Sequence, residues 1–331
     1  MPLSNRVRAH WLRWPMLLLA ATVLATLHIR CSYNFLPWED FMSFQGEHPY
    51  QTRILPILVA KLVRALPGCQ DVTLIRIFWL FDIAMLVAAM RAMQWLSRAP
   101  AWAGQVSAGR VMGLWAWQMV VTFVLSSIHN WYYPYDMASQ AFTVIGLCLI
   151  VGGAPWVAVC AWTVLAAVNR ETAVLLPLWA WAWAGWGDRR TMLRALSLMG
   201  GVALIKVSLA WATGGLQTMA VLRLPGTDDH WRLALNLGFV LSPAQHWHTA
   251  NVFLAFGGVW VLLCRRGPAF AQADALRRMG MTFWPFLLIM AFAANLSEIR
   301  VFAEFFPLVA VLAAMRWQRR PQAPTKHLTA A

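Results

Sequence analysis

The sequence predicts an all-α protein, a polytopic transmembrane helical bundle of about ten helices. Of its 331 residues, 60% are hydrophobic and 12% are charged, and the mean hydropathy is +0.56. Soluble domains are about 45–50% apolar and about 25% charged, so lipid is the expected solvent of this chain. The apolar residues also fall into segments of helix length that short polar stretches separate.

Ten such apolar segments follow one another along the chain. The first, 14–29, has arginines before it and no small-residue cleavage site after it, so we expect an anchor helix rather than a signal peptide. An Asn-Arg-Glu triplet separates 155–168 from 172–187, and both are short against the roughly 20 residues that a span needs. The predicted total is therefore eight to ten helices. The remaining segments are 74–95, 111–128, 137–152, 195–212, 249–264, 279–295 and 301–315.

The charged residues predict the topology, because cytoplasmic loops of membrane proteins carry an excess of Lys and Arg. With the N-terminus inside, the cytoplasmic segments hold 17 of the 27 basic residues. The acidic residues show the opposite bias: 11 of 13 lie in outer loops or near the outer ends of apolar segments. We therefore predict both termini in the cytoplasm and a polar site on the outer face.

One membrane domain, 1–318, accounts for all of these segments, with outer loops at 30–73 and 213–248. Prolines and polar residues at 319–331 predict a disordered cytoplasmic tail. The net charge of +14 does not indicate a nucleic-acid partner, because the basic residues punctuate apolar runs instead of clustering on a soluble face. The five cysteines lack the spacing of a zinc site or a disulfide framework. In the predicted outer loop 213–248, Asp228, Asp229 and His230 suit either a metal ion or an ordinary solvated loop.

The first outer loop combines acidic residues with an amphipathic stretch. Glu39, Asp40, Glu47 and His48 come first, and then leucines and isoleucines alternate at helical spacing with basic residues over 51–66. Such a pattern predicts a helix that lies in the membrane interface, with its basic face on lipid phosphates. A reentrant or short spanning segment is the alternative.

Aromatic residues fill the second outer segment, where Trp131 and Tyr135 precede Asp136. Trp and Tyr gather at membrane interfaces because their rings are amphipathic, and Asp136 would serve as an N-cap for the next helix. The same rings would also form a stacking platform for a sugar. Both interpretations remain open at this point.

Ionisable residues enter two further apolar regions. Arg170 and Glu171 stand alone between two apolar stretches, and charges at membrane depth are expensive enough to be functional candidates, although these two could simply neutralise each other. Arg300 and Glu304 are four residues apart, so they would share one helix face and pair, with Glu298 nearby. Arginine is the side chain best suited to binding a phosphate group with two hydrogen bonds.

Together, these outer carboxylates, arginines and aromatic rings fit the transfer of a sugar from a lipid-phosphate donor. The reaction needs a carboxylate base to activate an acceptor hydroxyl and cations to stabilise the departing phosphate. Nucleotide sugars lie on the cytoplasmic side, so the donor would be a polyprenyl-linked sugar. A transporter or flippase, a glycan polymerase and a noncatalytic assembly subunit are the other candidates.

In its order of features, the chain resembles the GT-C superfamily of multi-spanning glycosyltransferases, in particular small bacterial members. The resemblance spans about residues 10–315 and implies a bacterial inner-membrane enzyme that depends on a polyprenyl-phosphate-linked sugar. The large outer C-terminal domain of many members is not found here. The motifs that carry the resemblance are Trp38-Glu39-Asp40, Tyr50-Gln51-Thr52-Arg53-Ile54-Leu55-Pro56, Tyr135-Asp136, Asn169-Arg170-Glu171-Thr172 and Glu298-Ile299-Arg300 with Glu304 and Pro307.

The resemblance also implies a role for individual residues. The superfamily's catalytic carboxylate lies in the first outer loop, which points to Asp40 as general base or as ligand of a divalent cation, with Glu39 or Glu47 as substitutes. The other expected site residues bind the substrate. Phosphate would contact Arg53, Arg170 and Arg300; Glu171, Glu298 and Glu304 would orient the arginines or the sugar; Trp131, Tyr135, Asp136, Glu47 and His48 would complete the site.

Overall fold

The computed structural model describes residues 5–32, 34–35, 37–44, 52–104, 106–125, 131–213, 232–242, 273–294, 296 and 298–317. These ranges are almost entirely helical, which confirms the predicted all-α class. Two very short strands are the exception: β1 (Asn34–Phe35) pairs in parallel with β2 (Trp131–Tyr132). This pairing joins the first outer loop to the aromatic segment, which the sequence did not predict.

Most of the predicted apolar segments that the structure describes coincide with a helix, but 279–295 is divided between two helices and 301–315 begins as a 3₁₀ helix. The first group is α1 (Asn5–Cys31), α2 (Trp38–Met42), α3 (Leu55–Ala65), α4 (Leu74–Leu96), α5 (Ala108–Val120) and α6 (Asp136–Val151). The second group is α7 (Trp156–Asn169), α8 (Leu175–Ala184), α9 (Arg189–Ala212), α10 (Arg232–Leu241), α11 (Ala273–Met281), α12 (Phe283–Ala293) and α13 (Phe306–Trp317). Shorter turns are 3₁₀ helices at Pro100–Trp102, Glu171–Val174 and Ile299–Phe305 and a π-helical turn at Val121–Leu125.

Three helical stretches within the described ranges are long and apolar enough to cross a membrane, judged by length and composition: Trp14–Cys31, Ala108–Leu125 and Arg189–Ala212. Helices α6 and α7 are apolar but shorter. At about 1.5 Å per residue, α7 and α8 are about 21 and 15 Å long, well short of a hydrocarbon core of about 30 Å. The predicted segment 249–264, the predicted tail 319–331, Glu47 and His48 lie outside the described residues.

Helix α6 is the centre of the bundle. It packs against α4, α7 and α8, and most of its side chains are buried, including the polar Gln140 and Thr143. The closest approach is at Gly146, where the missing side chain leaves space for the methyl groups of Leu176. Any larger residue at position 146 would therefore require the Leu176 side chain to shift.

Replacing Gly146 by Ala should lower the free energy of unfolding by about 1–3 kcal/mol, a typical cost of overpacking a core. The added methyl group would overlap Leu176, which is itself buried and has little space to move into. Melting of the purified protein in detergent measures the effect. Gly113→Ala is the matched control, because nothing lies near the added methyl group at that helical position. Equal melting of the two variants would contradict the tight contact.

The two ends of the bundle carry different polar chemistry. At one end, Arg278 donates hydrogen bonds of 2.7 and 3.2 Å to the last carbonyls of α8, on Ala182 and Trp183. Asp188 caps α9 nearby, and hydrogen bonds from the Thr191 hydroxyl and backbone lower the pKa of its carboxyl. The opposite end, where α6 and α13 begin and α7 ends, holds a set of buried ion pairs.

Candidate functional site

Arg170 lies at the centre of the buried ion pairs. Its Nη1 atom is 3.1 Å from Oε1 of Glu304 and 3.5 Å from Oδ1 of Asp136. The hydroxyl of Thr172 donates a 2.7 Å hydrogen bond to the same Glu304 oxygen. All three charged side chains are at least nine-tenths buried. Burying a charge is tolerable only when it is paired and hydrogen-bonded, so these groups depend on each other.

The end of α7 places Arg170 in this position. The helix stops at Asn169, and Arg170 takes an extended backbone conformation before the 3₁₀ turn Glu171–Val174 begins. The Asn169 side-chain amide donates hydrogen bonds to the Tyr135 carbonyl at 3.1 Å and to the Ser139 hydroxyl at 3.0 Å. These bonds tie the end of α7 to the first turn of α6, where Asp136 stands.

Arg300 approaches Asp136 from the other side. Its Nη1 atom is 3.6 Å from Oδ2 of Asp136 and donates a 3.0 Å hydrogen bond to the Trp131 carbonyl. Two further hydrogen bonds, of 2.6 and 3.2 Å, run to Glu298. The guanidinium also lies over the Tyr133 ring, 3.7 Å from its centroid, in a cation–π contact.

The predicted pairing of Arg300 with Glu304 is wrong. Both residues belong to the 3₁₀ helix Ile299–Phe305, in which each turn takes about three residues instead of 3.6. Residues four apart therefore point about 120° away from each other. Arg300 pairs with Glu298 and Asp136, whereas Glu304 pairs with Arg170.

A second ion pair joins the start of α3 to the turn after α7. Arg53 binds Glu171 through both Nε and Nη2, and its guanidinium lies 4.4 Å from the centroid of the Tyr135 ring. Burial by itself would raise the pKa of Glu171, but the positive charges of Arg53, Lys206 and Arg170 lower it to about 2. Glu171 is thus ionised at neutral pH, although its side chain remains 40% exposed.

The structure brings nine of the predicted site residues into one cluster, which we name the outer cluster after the face on which the sequence predicts it: Arg53, Trp131, Tyr135, Asp136, Arg170, Glu171, Glu298, Arg300 and Glu304. The alternative interpretation, in which Arg170 and Glu171 simply neutralise each other, does not fit these contacts. Arg170 pairs with Asp136 and Glu304, and Glu171 pairs with Arg53.

Glu39 and Asp40 do not join the ion pairs of this cluster. Both are exposed on the short helix α2, and no ion pair to either occurs among the described residues. The α2 residue Trp38 packs 6.1 Å from the ring centroid of Tyr132, next to the tyrosines on which the arginines lie. Helix α2 therefore packs, through Trp38, against the segment that carries these tyrosines.

Lys206 is the residue of the site that the sequence analysis missed. It is buried on α9 and donates a 2.8 Å hydrogen bond to the Thr52 carbonyl, beside Arg53. A signal existed: Lys206 is the one charge in the predicted apolar segment 195–212, and an isolated charge at membrane depth is a functional candidate. Thr172 and Tyr133 also belong to the site, but neither residue type is unusual enough to be found from the sequence.

Several buried oxygens of the cluster accept no hydrogen bond from the described residues. These acceptors are both carboxylate oxygens of Asp136, Oδ1 of Asn169 and Oε2 of Glu304. The buried donor Nε of Arg170 likewise has no hydrogen-bond partner among the described residues. A narrow recess lined by Ser139, Asn169, Arg170 and Thr172 opens at this point. The surplus of acceptors over donors favours a ligand that brings hydroxyl groups.

Within the described residues, no three His, Cys, Asp or Glu side chains are placed to hold a metal ion together. Comparison with protein-family models, with curated proteins and with solved structures found no match for this chain. The geometry and chemistry of the outer cluster therefore carry the functional argument.

Proposed function

We propose that this protein is a GT-C-like membrane glycosyltransferase that transfers a sugar from a polyprenyl-phosphate donor to an acceptor on the outer side of the bacterial inner membrane. One observation carries the proposal. Arg53, Arg170 and Arg300 come from three distant segments, yet they meet at one end of the bundle, where carboxylates hold them and two of them lie on tyrosine rings.

Fixed arginines suit a reaction in which a phosphate leaves. Negative charge develops on the departing phosphate, and preorganised guanidinium groups stabilise it with little reorganisation. The acceptor hydroxyl needs a base, for which Asp40 or the neighbouring Glu39 is the candidate, because both carboxylates are exposed on α2, whose Trp38 packs against Tyr132. Glu171, Glu298 and Glu304 hold the arginines in place.

Asp136 is suited to binding the sugar. Its contacts with Arg170 and Arg300 are 3.5 and 3.6 Å, longer than ordinary hydrogen bonds, and both of its oxygens can accept more. A sugar bound beside the arginines would donate hydrogen bonds from two hydroxyls to the Asp136 oxygens, with the arginines kept in place. The donor's phosphate and sugar would then occupy adjacent parts of one site.

Apolar side chains on the surface of the helical bundle support the membrane location. Large apolar side chains face outward along α1, α7, α9 and α12; Val157, Leu204 and Trp211 are 77%, 66% and 74% exposed. Such faces are unfavourable in water and suit lipid. We propose eight to ten spanning segments with both termini cytoplasmic and with α3, whose Leu58 and Leu62 are exposed, in the membrane interface.

Loss of the gene should cause the lipid-linked sugar donor to accumulate, and the envelope glycan that receives this sugar should disappear. The physical reason is that the donor cannot leave the membrane except through transfer. Mass spectrometry of extracted lipids and of envelope glycans, with and without the gene, measures both. Complementation with the wild-type gene and with Arg300→Met is the control. Unchanged lipid and glycan profiles would contradict the proposal.

A transporter or flippase for a lipid-linked or small polar substrate is the second candidate. The observation in its favour is the pair of short helices α7 and α8, which meet at Arg170 within the bundle, as the interrupted helices of transporters do at their binding sites. Substrate flux in proteoliposomes without a covalent product would favour it over the transferase.

A further inference from the structure

A second buried polar group lies apart from the outer cluster, between α1, α4 and β2. It consists of His28, Asp82 and Tyr132, and none of the three exposes any surface. The Tyr132 hydroxyl donates a 3.0 Å hydrogen bond to Oδ2 of Asp82, and Nδ1 of His28 is 3.7 Å from the same oxygen. The His28 ring packs against Phe123 and Tyr132, 5.3 and 5.1 Å between centroids.

These contacts leave several hydrogen-bonding atoms of the three side chains without a partner. Oδ1 of Asp82 and both ring nitrogens of His28 find no hydrogen-bond partner among the described residues. No arginine or lysine contacts Asp82 in that part of the chain; the charged groups that act on it and on His28 from a distance are Asp136 and Arg300. A lone carboxylate in such surroundings is very costly, so the group needs one additional positive charge.

We propose that His28, Asp82 and Tyr132 form a proton-binding site inside the bundle, which nothing in the transferase reaction requires. One proton taken from water is held between the imidazole and the carboxylate, either as the acid or as the imidazolium, and Tyr132 fixes the carboxylate by its hydrogen bond. A proton fits better than a metal ion, because hard cations take six or more oxygen ligands and only one carboxylate, one hydroxyl and one imidazole meet here.

The strand β2 connects this proton to the outer cluster. Tyr132 binds Asp82, and its neighbour Trp131 accepts the hydrogen bond from Arg300 through its carbonyl. Loss of the proton would leave a buried negative charge on Asp82 and strengthen the hydrogen bond that it accepts from the Tyr132 hydroxyl, and the shift of Tyr132 would pass to the strand that positions Arg300. The site is thus able to bias the outer cluster, whatever reaction or transport step that cluster carries out.

Infrared spectra of the purified full-length protein, recorded as a pH titration in detergent, test the site directly. We expect a titrating band of a protonated carboxyl or of an imidazolium that is lost in Asp82→Asn, whereas Asp71→Asn, which removes an exposed carboxyl, retains it. Tyr132→Phe should keep the band and shift it, because the carboxyl loses one hydrogen bond. Helical content by circular dichroism confirms folding of each variant.

The proposal is contradicted if Asp82→Asn changes the wild-type spectrum no more than Asp71→Asn does. If Asp82→Asn does not fold, Tyr132→Phe decides: an unshifted band contradicts the site. Neither readout depends on sugar transfer, so failure of the proton site and failure of the proposed transferase are distinguishable.

Discussion

Replacing Arg170 by Met should lower the free energy of unfolding by about 3–5 kcal/mol, the usual cost of removing one partner from a buried ion pair. Arg170 holds Glu304 and Asp136, which are both buried, so its loss leaves two carboxylates inside the bundle without their nearest cation. Methionine keeps most of the volume, which separates the effect of charge from that of packing. Unfolding titrations in mixed detergent micelles measure the change.

The double variant Arg170→Met/Glu304→Gln should be more stable than Arg170→Met alone, because Asp136 keeps its contact with Arg300 and the glutamine removes the charge of Glu304 while it can still accept from Thr172. Arg98→Met is the matched control: this arginine is exposed at the opposite end, and its loss should cost less than about 0.5 kcal/mol. If Arg170→Met were as stable as the control, the ion pairs of the outer cluster would not hold the fold together.

The helices of this protein were predictable because apolar segments of helix length are a local property of the sequence. Even the short pair α7 and α8 was visible, since the polar triplet from Asn169 to Glu171 interrupts the apolar run. The site residues were found by a similar argument, because charges are rare in this chain and each one within an apolar region stands out.

The partners of those charges were not predictable. Arg53 binds Glu171, which is 118 residues away, and Thr172 binds Glu304, which is 132 residues away. Such contacts depend on how the helices pack, and several arginines and carboxylates of equal chemistry could have paired otherwise. The one partnership that sequence spacing did suggest, Arg300 with Glu304, failed because the backbone there is a 3₁₀ helix.

The pairing of β1 with β2 shows the same limit. Two residues on each side are too few for a strand pattern, and the partners Asn34 and Trp131 lie far apart in the chain. Yet this small ladder links the segment that leads into α2, which carries Glu39 and Asp40, to the segment that leads into α6. The placement of the two carboxylates proposed as general base thus depends on a strand pairing that the sequence did not predict.

Asp40→Asn should reduce sugar transfer by about 10²–10⁴-fold and leave stability unchanged. A positioned general base contributes about that factor, and asparagine cannot take up the acceptor's proton. Stability should not change, because Asp40 is exposed on α2 and makes no ion pair within the described ranges. Transfer is measured in isolated membranes with the lipid-linked donor that accumulates when the gene is lost, and melting of the purified variant confirms folding.

Glu39→Gln is the matched control, because this carboxylate is equally exposed on the same short helix and precedes Asp40 by one residue. Successive residues of a helix point about 100° apart, so only one of the two carboxylates can face an acceptor that lies over the arginines. Full activity of Asp40→Asn together with loss of activity in Glu39→Gln would move the base to Glu39. Full activity of both single variants and of the double variant would remove Glu39 and Asp40 from the chemistry. Loss of activity in Glu47→Gln would then move the base to Glu47, whereas full activity there too would favour the transporter, whose binding site requires no base.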